Sequence, residues 1–312
     1  MCRTSARTSA TSALVIAALA SSFLAASCRR APDVDPTYRA EVERWRRERV
    51  ADLGRDNGWL TLVGLFWLKP GENRFGSAPD APLRLEGKGV PPIAGSLFLA
   101  ANGDVRLIPA PTAGVTLNGQ PATEAVLRAD RDGEPDIVSI GTLRMHVIVR
   151  GEARGVRVRD PQSQARLAFN GIDCFPIDPA YRVEATLERI PQPREVLVAS
   201  AHGPEQRMLV PGTVRFALKG RTLSLVPFVT SPDDDTLFFV FRDATSGQES
   251  YGAGRFLDAK APAKGSTTFV LDFNYSTNPP CAFTPYATCP LPPKENVLPV
   301  RIEAGEETPH IH

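Results

Sequence analysis

A helix-period stripe appears once in this chain. Tyr38, Val42, Trp45, Arg49 and Leu53 recur close to every 3.6 residues, with Val50 on the same face, while Arg44, Arg46, Arg47 and Glu48 lie mostly around the other side. Asp35 and Pro36 mark the start, the first as an N-cap and the second at a position where its missing N–H costs nothing. Asn57 and Gly58 suit the end. The basic residues are placed either to touch anionic lipid headgroups or to stand in water, laced with Glu41, Glu43 and Glu48.

After Gly58 the pattern shortens to brief runs separated by turn residues. Residues 59–68 are apolar and rich in β formers. Further runs lie at 83–85, 97–99, 105–108, 115–117 and 137–140, with Asn102-Gly103 and Asn118-Gly119 between runs, where hairpin turns belong. Residues 142–150 alternate: Leu143, Met145, Val147 and Val149 predict a core face, and Arg144, His146, Ile148 and Arg150 a face mostly toward water. More strands are expected at 182–190, 195–200, 212–218, 222–228, 236–242, 254–257 and 267–274. Residues 237–241 are apolar on both sides and predict a central, fully buried strand.

No β-α-β alternation occurs, which argues against a doubly wound sheet. The expected fold is all-β: two antiparallel β domains, an N-terminal sandwich and a C-terminal sandwich or barrel, preceded by one amphipathic helix. The polar turn at 160–163 sets the boundary, giving domains at 58–165 and 166–312; a single continuous β domain is the alternative.

The residues before the helix read as an address. Arg3 and Arg7 form a basic start, and residues 13–26 carry no charge. That run fits a secretory signal peptide, whose apolar region needs about 7–15 residues, and falls short of the roughly 20 needed to cross a bilayer. Leu24-Ala25-Ala26-Ser27-Cys28 resembles a bacterial lipoprotein signal, which makes Cys28 the acylated first residue of the mature chain. It departs from that signal in having Leu24 one step early. Ordinary cleavage after Ser27 is the alternative. The reading gives a signal peptide at 1–27 and a lipid anchor, tether and helix at 28–57. The bilayer is the expected partner, on the periplasmic face of the envelope. By resemblance to sorting signals, Arg29 after the cysteine favours the outer membrane.

Charge narrows the classes. Removing Arg3 and Arg7 leaves 34 basic residues against 35 acidic ones. An even balance without a basic stripe argues against a nucleic-acid partner. The 29 prolines and 24 glycines fit a turn-rich β protein.

Three segments carry a likeness: residues 57–68, which run Asn-Gly-Trp-Leu-Thr-Leu-Val-Gly-Leu-Phe-Trp-Leu; residues 247–257, with Tyr251-Gly252-Ala253-Gly254-Arg255-Phe256; and residues 271–293, with Asn278-Pro279-Pro280-Cys281. Together they resemble the bacterial family of the domain of unknown function 1684, over about residues 38–305. The likeness implies extent and fold and brings no activity or cofactor with it. A weaker one, in the order Phe75-Gly76, Leu83, Gly95, Leu97, Val105 and Asn118-Gly119, is similar to a forkhead-associated sandwich. That fold reads phosphothreonine through loop Arg, Ser and His residues. Here Pro91, Pro92 and Gly95 occupy the corresponding loop without a Ser-x-x-His, so phosphopeptide binding is expected to be absent.

Chemistry is expected at residues 272–296, a long proline-stiffened loop leaving a strand end. Asp272, Asn274, Asn278, Tyr286 and Asn296, with Arg255 from the Gly-rich turn, are the candidate ligand contacts for a small molecule or glycan. A hydrolase or lyase, in which Asp272 acts as general base and Tyr286 or Arg255 steadies charge, is the second reading. Docking of a protein partner by a structural envelope component is the third. The bland counterpart is that these amides and carboxylates cap turns, and that Arg255 pairs with Asp243 or Asp258. Cys281 and Cys289 are expected to pair as a disulfide in an exported protein. No metal site or cofactor is expected. Cys174 reads as buried and inert, and His146 as solvated.

Overall fold

The computed structural model describes residues 33–310. The expected signal peptide and Cys28 lie outside them. Among the described residues no helix is long and apolar enough to cross a membrane.

The stripe becomes a helix at Pro36–Leu53. The Asp35 carboxylate accepts the N–H groups of Thr37 and Tyr38 at 2.9 and 3.0 Å, which satisfies two of the donors a helix start leaves bare. Val42 and Leu53 are its buried residues.

The protein is otherwise built of β-sheet, nearly all antiparallel. In the N-terminal half, a six-stranded sheet runs in the order Leu62–Trp67, Ala153–Arg159, Leu143–Arg150, Val138–Ile140, Thr116–Leu117, Gln120–Pro121. A five-stranded sheet runs Leu83–Arg84, Gly71–Gly76, Gly95–Leu99, Val105–Pro109, Ala125–Leu127. Their apolar faces share one core, Phe75, Leu97 and Leu107 against Met145, Val147, Val156 and Val158. Asn118 and Gly119 turn a hairpin at φ +50° and +81°, the two positive values that a primed turn demands.

The C-terminal half has a four-stranded sheet, Arg221–Leu225, Gln206–Leu218, Arg182–Val198, Thr268–Asp272, and a two-stranded ribbon, Thr236–Phe241 with Arg255–Lys260. Sheet and ribbon share a core that includes Leu187, Val214, Phe216, Phe239, Phe241 and Leu257. The layers stay open: no closed barrel forms among the described residues. Residues 237–241 are not at a sheet centre. Leu237, Phe239, Val240 and Phe241 are buried because layers cover both faces of the ribbon. Both halves belong to one compact unit, Val34–His312.

The longest hairpin, Arg182–Val198 with Gln206–Leu218, loses register between Arg189 and Arg194. Residues 190–193 read Ile-Pro-Gln-Pro, and two prolines without N–H groups cannot continue a ladder. Beyond this kink, residues 194–198 and 206–210 form an arm that packs Val198 and Val210 on Phe228 and Val240.

The outer face of the six-stranded sheet departs from its expected exposure. Ile148 is fully buried. Arg157, opposite His146 in the ladder, is buried, reaches Thr288 of the other half at 3.3 Å, and lies 5.1 Å from the Trp59 ring. Alternation reports which residues share a face, and this face meets protein instead of water. His146 is held down to about 4 by burial first and then by the charges of Arg159, Arg157 and Arg150, with Asp130 opposing them.

A depressed imidazole means the folded state refuses a proton that the unfolded chain accepts. Its contribution is present above pH 6.5 and is lost as pH falls from there toward 4. Urea unfolding at pH 7 and pH 4.5 checks this. The wild type is expected to lose about 2 kcal/mol more than His146→Gln over that interval, and equal losses would show His146 to be in water.

Candidate functional site

The N-terminal helix lies along the first part of the proline-rich loop, and its stripe residues make the contacts. Tyr38 donates its hydroxyl to Asp272 at 2.7 Å. The Asn274 amide donates to the Tyr38 oxygen at 3.0 Å, to the Asp178 carbonyl at 2.9 Å and to Asp272 at 3.0 Å. The Asn274 N–H also donates to Asp272 at 3.0 Å, and Arg182 stands 3.6 Å away. Burial, and then the Asp272 carboxylate, push the Tyr38 phenol well above its ordinary range. Asp272 is therefore spent on holding a helix. Two turns on, Trp45 meets Tyr275 edge to face at 4.9 Å.

Further along, Arg49 donates to Glu306 at 3.0 Å and to the Asn278 carbonyl at 3.0 Å. The Asn278 N–H donates to the other Glu306 oxygen at 2.6 Å, and its side-chain amide donates to the Glu307 carbonyl at 2.6 Å. Glu306 is buried, and burial raises its carboxyl despite Arg49 and the Asn278 N–H. Gly305 permits this approach: at φ +80° an added Cβ would lie 2.5 Å from the Ser276 carbonyl oxygen.

Arg255 has no solvent exposure. Its guanidinium donates to Asp243 at 3.2 Å, to the Ile302 carbonyl at 2.8 Å and to the Ala304 carbonyl. It pins the C-terminal segment and is closed to a ligand from outside. Asn296 accepts the Val226 N–H at 2.7 Å and donates to the carbonyls of Val226 and Val240, both at 2.9 Å, standing in for a missing strand neighbour. Tyr286 is half-buried and lines a cleft of about 230 Å³ beside Val63, Phe66, Arg84 and Val158. The six sequence-predicted contacts thus do not share one cavity.

The disulfide expected at Cys281 and Cys289 is not formed. Both are free thiols, with the Cys281 N–H donating to the Cys289 sulfur at 3.1 Å. Their mutual hydrogen bond lowers the Cys281 thiol and raises that of Cys289. Tyr251 donates to the Cys281 carbonyl at 3.0 Å. Cys174 is half-buried, with its thiol raised to about 11 by burial.

The second part of the loop builds something different. Residues 289–291 run beside 199–201 on the hairpin arm, with the Ala201 N–H donating to the Cys289 carbonyl and the Leu291 N–H to the Ala199 carbonyl, both at 2.8 Å. Pro292 and Pro293 have no N–H to extend this pairing, and the strands part. A groove of about 470 Å³ opens there between Leu291, Pro292 and Pro293 on one side and Val196, Val198, Val210, Val226 and Phe228 on the other. Arg194, Thr213 and Glu295 supply its polar side chains. Sequence reasoning had the loop but not its partner. The signal was present in the alternation of Val196 and Val198 around Leu197, which is 61% exposed.

A family model described as "Protein of unknown function (DUF1684)" matches residues 167–307. Among solved structures, the chain is similar to the solution structure of an uncharacterized protein of Haloarcula marismortui. The identity is 36%, over 46% of this chain and 79% of that one, with a TM-score of 0.40. It is also similar to a forkhead-associated domain from a study of phosphothreonine-dependent interactions, at 25% identity over 32% of this chain and 96% of that one, with a TM-score of 0.22. A forkhead-associated domain crystallised with the intracellular domain of another protein matches at 24% identity over 30% and 97%, with a TM-score of 0.22. No curated protein matches the chain.

The ion pair at Glu306 is open to direct test. Arg49→Met strands a buried carboxylate and is expected to cost about 3–5 kcal/mol in urea unfolding. Adding Glu306→Gln should return about 2 kcal/mol of that loss. A single variant within about 1 kcal/mol of wild type would mean the pair does not hold the helix.

Proposed function

We propose, for a chain whose residues 167–307 belong to the family described as protein of unknown function (DUF1684), a role as an exported, lipid-anchored envelope protein that binds a small apolar molecule in the groove beneath Pro292 and Pro293. The groove itself carries the reading. At about 470 Å³ it falls within the range of small-molecule sites, roughly 300–1,000 Å³. Its walls are mostly aliphatic, with Phe228 the one aromatic side chain, and its polar side chains are limited to Arg194, Thr213 and Glu295. Three polar side chains are too few to answer the hydroxyls of a glycan. They suit a ligand with an apolar body and one acidic or hydrogen-bonding end, which Arg194 would receive.

The role is binding and not hydrolysis. Asp272, the one carboxylate suited by sequence to act as a base, has its oxygens occupied by Tyr38 and Asn274, with Arg182 beside them. Export rests on the basic start, the uncharged run at 13–26 and the Leu24-to-Cys28 sequence. Anchoring rests on acylation of Cys28, with the short stretch before Asp35 as tether.

Two measurements test these statements separately. Decanoate is expected to raise the melting temperature of the mature protein. Ala199→Trp, which fills the groove from the exposed edge of the arm, should abolish that shift, and Arg194→Gln should weaken binding about tenfold. A decanoate shift of the same size in Ala199→Trp would remove the groove as the site. For the anchor, radiolabelled palmitate should enter the full-length precursor in a bacterial host and should be absent from Cys28→Ala; label retained in that variant would refute acylation there.

A further inference from the structure

A smaller cavity lies between the N-terminal helix and the segment around Cys174. It measures about 170 Å³ and is lined by Arg46, Arg49, Val50, Ile172, Cys174 and Glu306. The two arginines differ in state. Arg49 is neutralised by Glu306 at 3.0 Å. Arg46 has one protein partner, the Phe175 carbonyl at 3.0 Å, and no carboxylate pairs with it among the described residues. Its Nε is buried, and no protein group accepts a hydrogen bond from it among the described residues. A buried donor left bare costs free energy, and the Arg46 side chain that carries it forms part of the cavity wall.

The geometry points to a binding site for a short-chain monocarboxylate, with its carboxylate on Arg46 and its alkyl chain on Val50 and Ile172. The Arg46 guanidinium, part of the cavity wall and without a carboxylate partner among the described residues, can offer charged N–H donors to a carboxylate there. The cavity would hold about five waters, the size of a molecule of four to six heavy atoms. Glu306 sets the charge limit. It is buried at the cavity wall, and it would repel a dianion such as phosphate more strongly than a monoanion. The two aliphatic side chains select for a few methylenes over a bare oxyanion. This site does not rest on the groove and shares no lining residue with it.

Calorimetric titration of the mature protein at pH 7 with acetate, butyrate and inorganic phosphate tests it. Butyrate is expected to bind about tenfold tighter than acetate, from two added methylenes, and phosphate is expected to bind weakest. Arg46→Gln should lose butyrate binding. So should Val50→Phe, which fills the cavity and keeps the guanidinium. Ala199→Trp should bind butyrate as the wild type does. Unfolding in urea establishes that each variant is folded. The inference falls if the wild type shows no butyrate heat, if phosphate binds tightest, if Val50→Phe and Arg46→Gln both bind as before, or if Ala199→Trp alone abolishes binding.

Discussion

The buried carboxylate of Glu306 ties the architecture together. Taking a charge out of water is expensive, and only well-placed partners make it tolerable. Those partners come from distant parts of the chain: Arg49 from the N-terminal helix and the Asn278 N–H from the proline-rich loop. The carboxylate itself rides on the C-terminal segment, whose path is fixed by Arg255 through the carbonyls of Ile302 and Ala304. Helix, loop and tail are therefore positioned as one object. The same pairing explains why the two helix arginines facing the small cavity are unlike. One has its counter-charge within the fold, and the other does not.

The proline-rich loop divides its labour along its length. Its first half is an anchor, in which Asp272, Asn274 and Asn278 are consumed by backbone groups and by the helix. Its second half is a wall, made of residues with little to bond. The concavity appears where the polar residues run out and the prolines end the pairing with the hairpin arm. Rigidity is useful in both places, since a wall that does not move binds without first having to be ordered.

How much of this was legible follows from which interactions leave a local trace. The helix stripe was fully legible, because Tyr38, Val42, Trp45, Arg49 and Leu53 share a face whatever that face meets. The Asn118-Gly119 hairpin was legible because its backbone conformation belongs to those two residues. Exposure was legible only where a face meets its own sheet partner. Ile148 and His146 were placed in water because nothing local reveals that a second half of the protein covers them. Residues 237–241 looked like the centre of a sheet because burial by layers and burial by neighbouring strands leave the same apolar run. The candidate site was legible as a loop and not as a function. An Asn or Asp that holds a backbone and one that holds a ligand are the same letter. Arg49 and Arg46 were legible only as positions on a helix face, and Glu306 not at all, because their partners lie more than one hundred residues away in the chain.

The kink at residues 190–193 has an effect on how the molecule meets copies of itself. A hairpin as long as Arg182–Val198 with Gln206–Leu218 would, if straight, extend a flat ribbon with two unpaired rims into solvent, a template for runaway self-assembly. Bending at Pro191 and Pro193 folds the far end back against its own body. There one rim is met at Ser200 by Pro290 and the other at Leu209 by Val229. A hairpin whose two rims are each met by another segment of its own chain offers a neighbouring copy less edge to add to.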